Sequence, residues 1–197
     1  INRCNYLISI LIFKRKAEHL FGFFYFCIMI KKLDNIIIDG SSDNSILIDA
    51  IFKANKQVKQ VVVFCHGFKG FKDWGPFNKI ATHFAEQDIV FVKFNFSYNG
   101  TTINDPINFG DLKSFGNNNF CKELDDLSLV LDWIENCKEL RGEIDAAKIS
   151  LFGHSRGGSI AMLKSAEDNR VRKIISWASP SNFLDRLPKK EKLAKWK

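Results

Sequence analysis

The sequence predicts an α/β fold, with a doubly wound, mostly parallel sheet and an antiparallel hairpin at its start. Short apolar runs of strand length alternate along the chain with segments whose apolar residues recur at helical spacing. Glycine-containing turns separate many of these segments. The chain has 197 residues, of which 46% are hydrophobic and 19 are phenylalanine. This is enough core material for one domain.

The first elements are a hairpin, a strand, a helix and a further strand. Two apolar runs, residues 35–39 and 46–52, flank a turn-like Gly-Ser-Ser-Asp-Asn segment and predict the hairpin. Residues 60–65 are a β-branched run typical of a buried strand. Residues 76–87 then predict a helix that has proline in its first turn and one apolar face. Residues 89–96 predict the next strand.

The second half continues the alternation. A helix is predicted to begin near residue 120 and end near residue 142, because apolar residues recur there every three or four positions. A strand (148–152), a helix (159–167) and a strand (171–178) follow. Residues 98–119 form a long loop rich in Asn and Gly. It leaves the carboxyl end of a strand, where open α/β sheets bind ligands, so it is predicted to line a site. A solvated loop is the alternative.

A sharp turn is predicted where the strand 148–152 meets the helix that follows it. The residues there are Gly153-His154-Ser155-Arg156-Gly157-Gly158, which contain the pattern G-x-S-x-G. In a nucleophile elbow this pattern places a strained serine at the apex, while the glycines allow strand and helix to pass closely. An ordinary glycine-rich turn is the alternative. Ser155 is therefore the candidate nucleophile.

The strand 60–65 ends in His66-Gly67-Phe68-Lys69-Gly70, which is predicted to form an oxyanion loop. Attack of a serine on a carbonyl group creates an oxyanion, which two backbone N–H groups usually stabilise. The candidate donors are the N–H of Arg156, at the positive end of a helix, and the N–H of Phe68. His66 and Gly67 complete the loop.

Four side chains that follow the strand 60–65 are candidates for the mouth of the site, namely Lys69, Lys72, Asp73 and Trp74. Lys69 and Lys72 are expected to be solvated. Trp74 is expected either to pack beneath the loop or to form a wall of an acyl pocket.

The pairing of the His66-Gly67-Phe68-Lys69-Gly70 segment with the Ser155 motif, about eighty-five residues later, resembles the α/β-hydrolase superfamily. It is most similar to the serine hydrolases grouped with dienelactone hydrolases and with serine aminopeptidase-like enzymes. The resemblance covers about residues 33–185. It implies hydrolysis of a carboxylic ester, thioester or amide bond of a small molecule through an acyl-serine intermediate.

The triad acid and base of that superfamily are not assigned in this sequence. They normally follow the nucleophile, in the order Asp or Glu and then His. The histidines are His19, His66, His83 and His154, and none follows residue 154. The later carboxylates Glu167, Asp168, Asp185 and Glu191 are not assigned a catalytic role. We expect a chain truncated at its C-terminus with little or no turnover. The alternative is a non-catalytic fragment or binding module.

Three segments are expected along the chain. Residues 1–28 are interpreted as an N-terminal extension made of translated upstream sequence, with a membrane anchor as the alternative. Residues 29–185 are the incomplete α/β-hydrolase domain, and residues 186–197 are a basic tail. The net charge of +7 comes from the two ends, since residues 1–32 and 186–197 each hold six basic residues and one acidic residue. The charge is therefore weak evidence for a nucleic-acid partner, and none is expected.

The cysteines predict free thiols in a cytoplasmic protein. There are five, and no two have the C-x-x-C spacing of a redox or zinc site. No phosphate-binding or dinucleotide-binding pattern is present, so no cofactor and no metal are implied. The apolar runs within residues 1–28 are shorter than the roughly 20 residues that span a bilayer. Substrate identity and oligomeric state stay open.

Overall fold

The computed structural model describes residues 30–41 and 43–182. The predictions for residues 1–28 and 186–197, and those for His19, Asp185 and Glu191, lie outside these residues. The described strands are β1 (Ile30–Asp39), β2 (Ser45–Lys53), β3 (Lys59–Cys65), β4 (Val90–Asn95), β5 (Ile144–His154) and β6 (Val171–Trp177). The described α-helices are α1 (Phe77–Glu86), α2 (Leu112–Gly116), α3 (Phe120–Asn136) and α4 (Arg156–Glu167).

The described strands form one six-stranded sheet in the order β1-β2-β4-β3-β5-β6. Strand β2 pairs antiparallel with both β1 and β4, whereas β4, β3, β5 and β6 are mutually parallel. The predicted fold class, a doubly wound and mostly parallel sheet that opens with an antiparallel hairpin, is confirmed. The apolar runs of β3 and β4 are buried because helices cover both faces of the sheet.

Two apolar clusters separate the sheet from its helices. The larger cluster packs α3 and α4 against one face, and the smaller cluster packs α1 against the other. Strand β6 lies at one edge of the sheet, and its residues after Val171 are exposed. The carboxyl ends of β3, β4 and β5 meet at the same edge of the sheet, which is the position of ligand sites in open α/β folds.

Some elements begin earlier or extend further than their sequence patterns indicate. Helix α4 starts at Arg156 rather than near residue 159, because the elbow turns directly into the helix despite the low helix propensity of glycine. Strand β5 starts at Ile144, where it pairs with Lys59 of β3. Strand β1 starts at Ile30, and it contains an irregularity near Asn35, whose φ is 53°.

The loop predicted over residues 98–119 contains the short helix α2. The Asp111 carboxylate caps that helix by accepting the Ser114 N–H at 2.9 Å. The Asn99 side chain accepts the Thr101 N–H at 3.0 Å and donates to the Gly70 carbonyl at 3.1 Å. The Asn and Asp side chains of this loop therefore form a network of hydrogen bonds to its backbone.

Two further features of the described residues bear on the sequence predictions. Cys65, Cys121 and Cys137 are free thiols, and Cys65 is buried. In the described ranges, no helix has both the length and the hydropathy needed to cross a bilayer.

Candidate active site

Ser155 occupies the apex of the turn between β5 and α4. Its φ of 53° and ψ of −122° are sparsely populated by residues other than glycine, and such strain is typical of functional turns. The Ser155 N–H donates to the Trp177 carbonyl of β6 at 2.8 Å, and the Ser155 carbonyl accepts the Gly158 N–H at 3.0 Å. Within the described residues the Ser155 hydroxyl has no hydrogen-bond partner. Hydrogen bonds thus fix the Ser155 backbone, whereas its hydroxyl makes none with the described part of the chain.

Two glycines allow the close passage that the elbow requires. A Cβ atom at position 153 would lie 2.2 Å from the Cα of Gly158, and one at position 157 would lie 2.1 Å from the Cys65 carbonyl oxygen. Both distances are far below van der Waals contact, and both involve backbone atoms that cannot rotate away. The elbow therefore packs directly on the end of β3.

The predicted oxyanion loop lies against this elbow. A Cβ atom at Gly67 would lie 3.1 Å from the Cβ of Ser155, so these two residues are in contact. The Gly70 N–H donates to the Gly67 carbonyl at 2.9 Å, and Lys69 between them has a φ of 56°, which corresponds to a type II turn. This turn contains the Phe68 N–H.

Neither predicted oxyanion donor has an acceptor among the residues that the structure describes. In the part of the chain that the structure describes, neither the Phe68 N–H nor the Arg156 N–H donates a hydrogen bond. Arg156 is the first residue of α4, and the first N–H groups of a helix have no partner within the helix. Two amides without a partner in the described residues thus lie on the two sides of the contact between the elbow and the loop.

A cavity of about 240 Å³ opens between the loop and the elbow. Its walls are Phe64, His66, Gly67, Phe68, Lys69, Gly70, Trp74, Phe77, His154 and Ser155. Trp74 therefore lines the cavity, and its ring stacks on the His154 imidazole with centroids 5.5 Å apart. Most of these walls are aromatic or imidazole rings, and none of the described walls is a carboxylate.

The histidines near the elbow are engaged elsewhere. His66 Nε2 accepts the Phe96 N–H at 3.3 Å, so its Nδ1, which lies 2.9 Å from the Gly67 carbonyl oxygen, carries the proton and donates there. Burial lowers the pKa of His66 to about 4, and the imidazole is neutral at neutral pH. Burial also lowers the pKa of His154, which packs between aromatic rings. His83 is exposed on α1.

The side chain of Arg156 has a partner that the sequence analysis did not identify. Its Nε donates to both carboxylate oxygens of Glu123 on α3, at 3.0 and 2.9 Å, and its guanidinium lies 4.2 Å from the ring centre of Phe120. Burial raises the pKa of Glu123, although the guanidinium opposes this effect. The sequence does hold a signal for such a buried pair, because Glu123 is an acidic residue on the apolar stripe of a predicted helix.

The prediction for Lys72 is wrong. Its side chain is only 4% exposed, and Nζ lies 2.8 Å from Asp49 Oδ2. The reason is that Asp49 and Lys93, which interrupt the apolar runs of β2 and β4, place charge beneath the loop. Lys69 is exposed as expected, and its Nζ lies 5.3 Å from the ring centre of Phe109.

The loop at residues 98–119 contacts the oxyanion loop instead of lining the cavity. Phe115 of α2 packs on the Phe68 ring with centroids 5.1 Å apart, and Phe109 lies beneath Lys69. No residue of this loop is among the cavity walls in the described part of the chain. The loop therefore supports the predicted oxyanion loop from outside.

Solved structures share this arrangement of strands and helices. The chain superimposes on the α/β hydrolase GrgF from Penicillium sp. sh18 with a TM-score of 0.60 and 19% identity, over 75% of this chain and 46% of that one. This agreement, added to the strand order, decides the fold. The chain has the α/β-hydrolase fold.

Two further solved structures have the same α/β-hydrolase fold. A dienelactone hydrolase from Anabaena variabilis ATCC 29413 matches with a TM-score of 0.58 and 12% identity, over 76% of this chain and 64% of that one. Brefeldin A esterase, a bacterial homologue of human hormone sensitive lipase, matches with a TM-score of 0.53 and 17% identity, over 78% of this chain and 39% of that one. The chain thus spans about 40–65% of the length of these three structures. No protein-family model and no curated protein matches the chain.

Proposed function

We propose that the chain carries the nucleophile and oxyanion hole of a serine hydrolase that acts on carboxylic ester, thioester or amide bonds of small molecules. The observation that carries this proposal is the contact between Gly67 and Ser155. It brings a strained serine beside a turn, and neither the serine hydroxyl nor the Phe68 N–H of that turn has a hydrogen-bond partner among the described residues. The hydrolase names of the similar solved structures support the same class of reaction.

The proposed chemistry follows from these positions. The Ser155 oxygen attacks the carbonyl carbon, and the carbonyl oxygen becomes an oxyanion that accepts hydrogen bonds from the N–H groups of Phe68 and Arg156. Collapse of this intermediate expels the alcohol, thiol or amine and leaves an acyl-serine. Water then attacks the acyl-serine and releases the acid.

We propose that this chain turns over slowly. The attack requires a base that takes the proton of Ser155, and within the described residues no imidazole hydrogen-bonds to its hydroxyl. His66 is buried, neutral and committed to backbone partners. Enzymes of this type that lose a triad member retain roughly 10³-fold catalysis over water from the oxyanion hole and from binding. Weak activity is therefore the expected level.

The test is covalent labelling of the chain with a fluorophosphonate, followed by intact-mass and peptide mass spectrometry. We expect slow addition of one phosphonyl group at Ser155 and none in Ser155→Ala. Ser165→Ala is the matched control, since Ser165 lies on the exposed side of α4 and donates to the Met162 carbonyl. Absence of an adduct at Ser155 would instead favour a binding module without catalysis.

Steady-state hydrolysis of a nitrophenyl ester tests the proposal that the chain turns over slowly. We expect turnover far slower than acylation. Fast turnover that Ser155→Ala abolishes would contradict the proposed weakness and would show that a base is present.

A further inference from the structure

Four charged side chains, three of them buried, form a network behind residues 66–75, a loop that begins with the predicted oxyanion loop (residues 66–70). Asp49 of β2 and Lys93 of β4 are register partners, and Lys93 Nζ lies 2.6 Å from Asp49 Oδ2. Lys72 Nζ, from the loop, lies 2.8 Å from the same oxygen and 2.7 Å from Asp73 Oδ2. Lys93 Nζ also contacts Asp73 Oδ1. This charge network joins two loop residues to two sheet residues and has no net charge.

The loop has few other buried anchors after its first residue. Among residues 67–76, all of them described, Lys72 has the only buried side chain, whereas Phe68 and Trp74 are 59% and 45% exposed. The backbone N–H of Lys72 also donates to Asn95 Oδ1 at 2.6 Å. A segment that buries so little apolar surface is held by its polar contacts. For this segment the main contacts converge on Lys72.

The buried charges favour the loop position in which Lys72 and Asp73 contact the sheet. Asp49 and Lys93 have side chains that are 0% exposed, so their charges depend on protein partners in place of water. Burial opposes the charge on Lys72, but Asp49 and Asp73 raise its pKa above the usual value. Burial likewise opposes the charge on Asp73, but the two lysines lower its pKa. Both loop residues therefore stay charged near neutral pH and remain bound to the sheet pair.

We propose that Lys72 and Asp73 are positioning residues, which hold the Phe68 N–H beside Ser155 through their contacts with Asp49 and Lys93. This inference rests on the proposed function of that N–H. None of the network residues is a wall of the described cavity, so they act on the reaction only through the loop.

The double variant Lys72→Met/Asp73→Asn tests the proposal. It removes both loop charges and leaves the Asp49–Lys93 pair neutral as a whole, so the sheet retains a balanced contact. The matched control is Lys59→Met/Glu143→Gln. That pair is buried as well, with side chains 1% and 2% exposed and 2.7 Å apart, but Lys59 begins β3 at the end opposite the loop. Both double variants remove one buried cation and one carboxylate.

Hydrogen exchange monitored by mass spectrometry is the first readout. In Lys72→Met/Asp73→Asn we expect exchange at residues 67–75 to be at least about tenfold faster, with little change in β3 and α4. The control should leave the loop amides at the wild-type rate. An unchanged loop, or an equal increase across the whole sheet, would overturn the proposal. If the double variant does not fold, Asp73→Asn alone is measured in the same way, because the side chain of Asp73 is 20% exposed.

Fluorophosphonate labelling of Ser155 is the second readout. We expect the maximal labelling rate of the loop variant to fall up to about a hundredfold, as for loss of an oxyanion donor, with little change in the half-saturating concentration. An equal fall in the control would show a general stability effect and would overturn the positioning role. If the wild-type chain is not labelled at all, the proposed function fails, whereas hydrogen exchange still decides whether the network holds the loop.

Discussion

The Nε of Arg156 lies 2.9 Å from a carboxylate oxygen of Glu123 and joins the first residue of α4 to the first turn of α3. The backbone N–H of the same arginine is the proposed oxyanion donor. One residue thus connects the elbow to the helix layer on one face of the sheet, and its side chain has a role separate from that of its amide.

Glu123→Gln should destabilise the fold by about 2 kcal/mol, because it weakens charge-assisted hydrogen bonds to a largely buried guanidinium. The urea midpoint measures this loss. Asp132→Asn is the control, since the Asp132 carboxylate pairs with Arg170 but is 56% exposed, and surface pairs contribute about 0–1 kcal/mol. Equal losses in the two variants would contradict a special role for the Arg156–Glu123 pair.

Gly157→Ala should destabilise the fold by about 1–3 kcal/mol, because its methyl group would collide with the carbonyl oxygen of Cys65 and force the backbone to shift. Labelling of Ser155 should slow as well, since the helix and the elbow would move together. Gly116→Ala is the control. A Cβ atom there meets no neighbour, and the change should stay within about 0.5 kcal/mol. A stable Gly157→Ala protein would contradict the close packing of α4 on β3.

The sequence could identify the elements whose signals are local. The apolar runs of β3 and β4 and the G-x-S-x-G turn depend on neighbouring residues in the chain, and the structure places a strand or a turn at each. The sequence does not indicate the start of α4, because Gly157 and Gly158 have low helix propensity, whereas the elbow geometry imposes the helix from Arg156 onward.

The partners of the buried charges could not be predicted in the same way. Asp49 and Lys93 each interrupt an apolar strand, and that pattern signals a buried charge, but their pairing depends on the register of β2 against β4. The burial of Lys72 could not be predicted either, because a lysine in a loop is usually solvated. Glu123 of α3 is similar: its place on the apolar stripe indicates a buried charge, but its partner Arg156 lies on another helix.

Trp74→Ala should slow the reaction of Ser155 with phenylmethanesulfonyl fluoride about three- to tenfold, because it removes an aromatic wall from the proposed acyl pocket. Intact mass measured over time gives the rate. Methanesulfonyl fluoride is the matched reagent, since its methyl group is too small to use that wall, and its rate should change little. A parallel fall for both reagents would show that Trp74 supports the elbow in general and does not select the acyl group.

The buried His66 should make the fold sensitive to acid. Its pKa in the folded chain is about 4, compared with 6.5 for an ordinary histidine, so the unfolded chain binds more protons between these values. Stability therefore falls as the pH drops from about 6.5 to about 4, by on the order of 3 kcal/mol from this residue. Urea unfolding across this range measures the slope. His66→Gln, whose amide can donate to Gly67 and accept from Phe96, should flatten the slope even if it lowers stability at neutral pH. His83→Gln is the control, because the side chain of His83 is 72% exposed, and it should retain the wild-type slope. If His66→Gln keeps the full acid sensitivity, the loss arises from other groups, such as His154 or carboxylates, and the prediction for His66 is wrong.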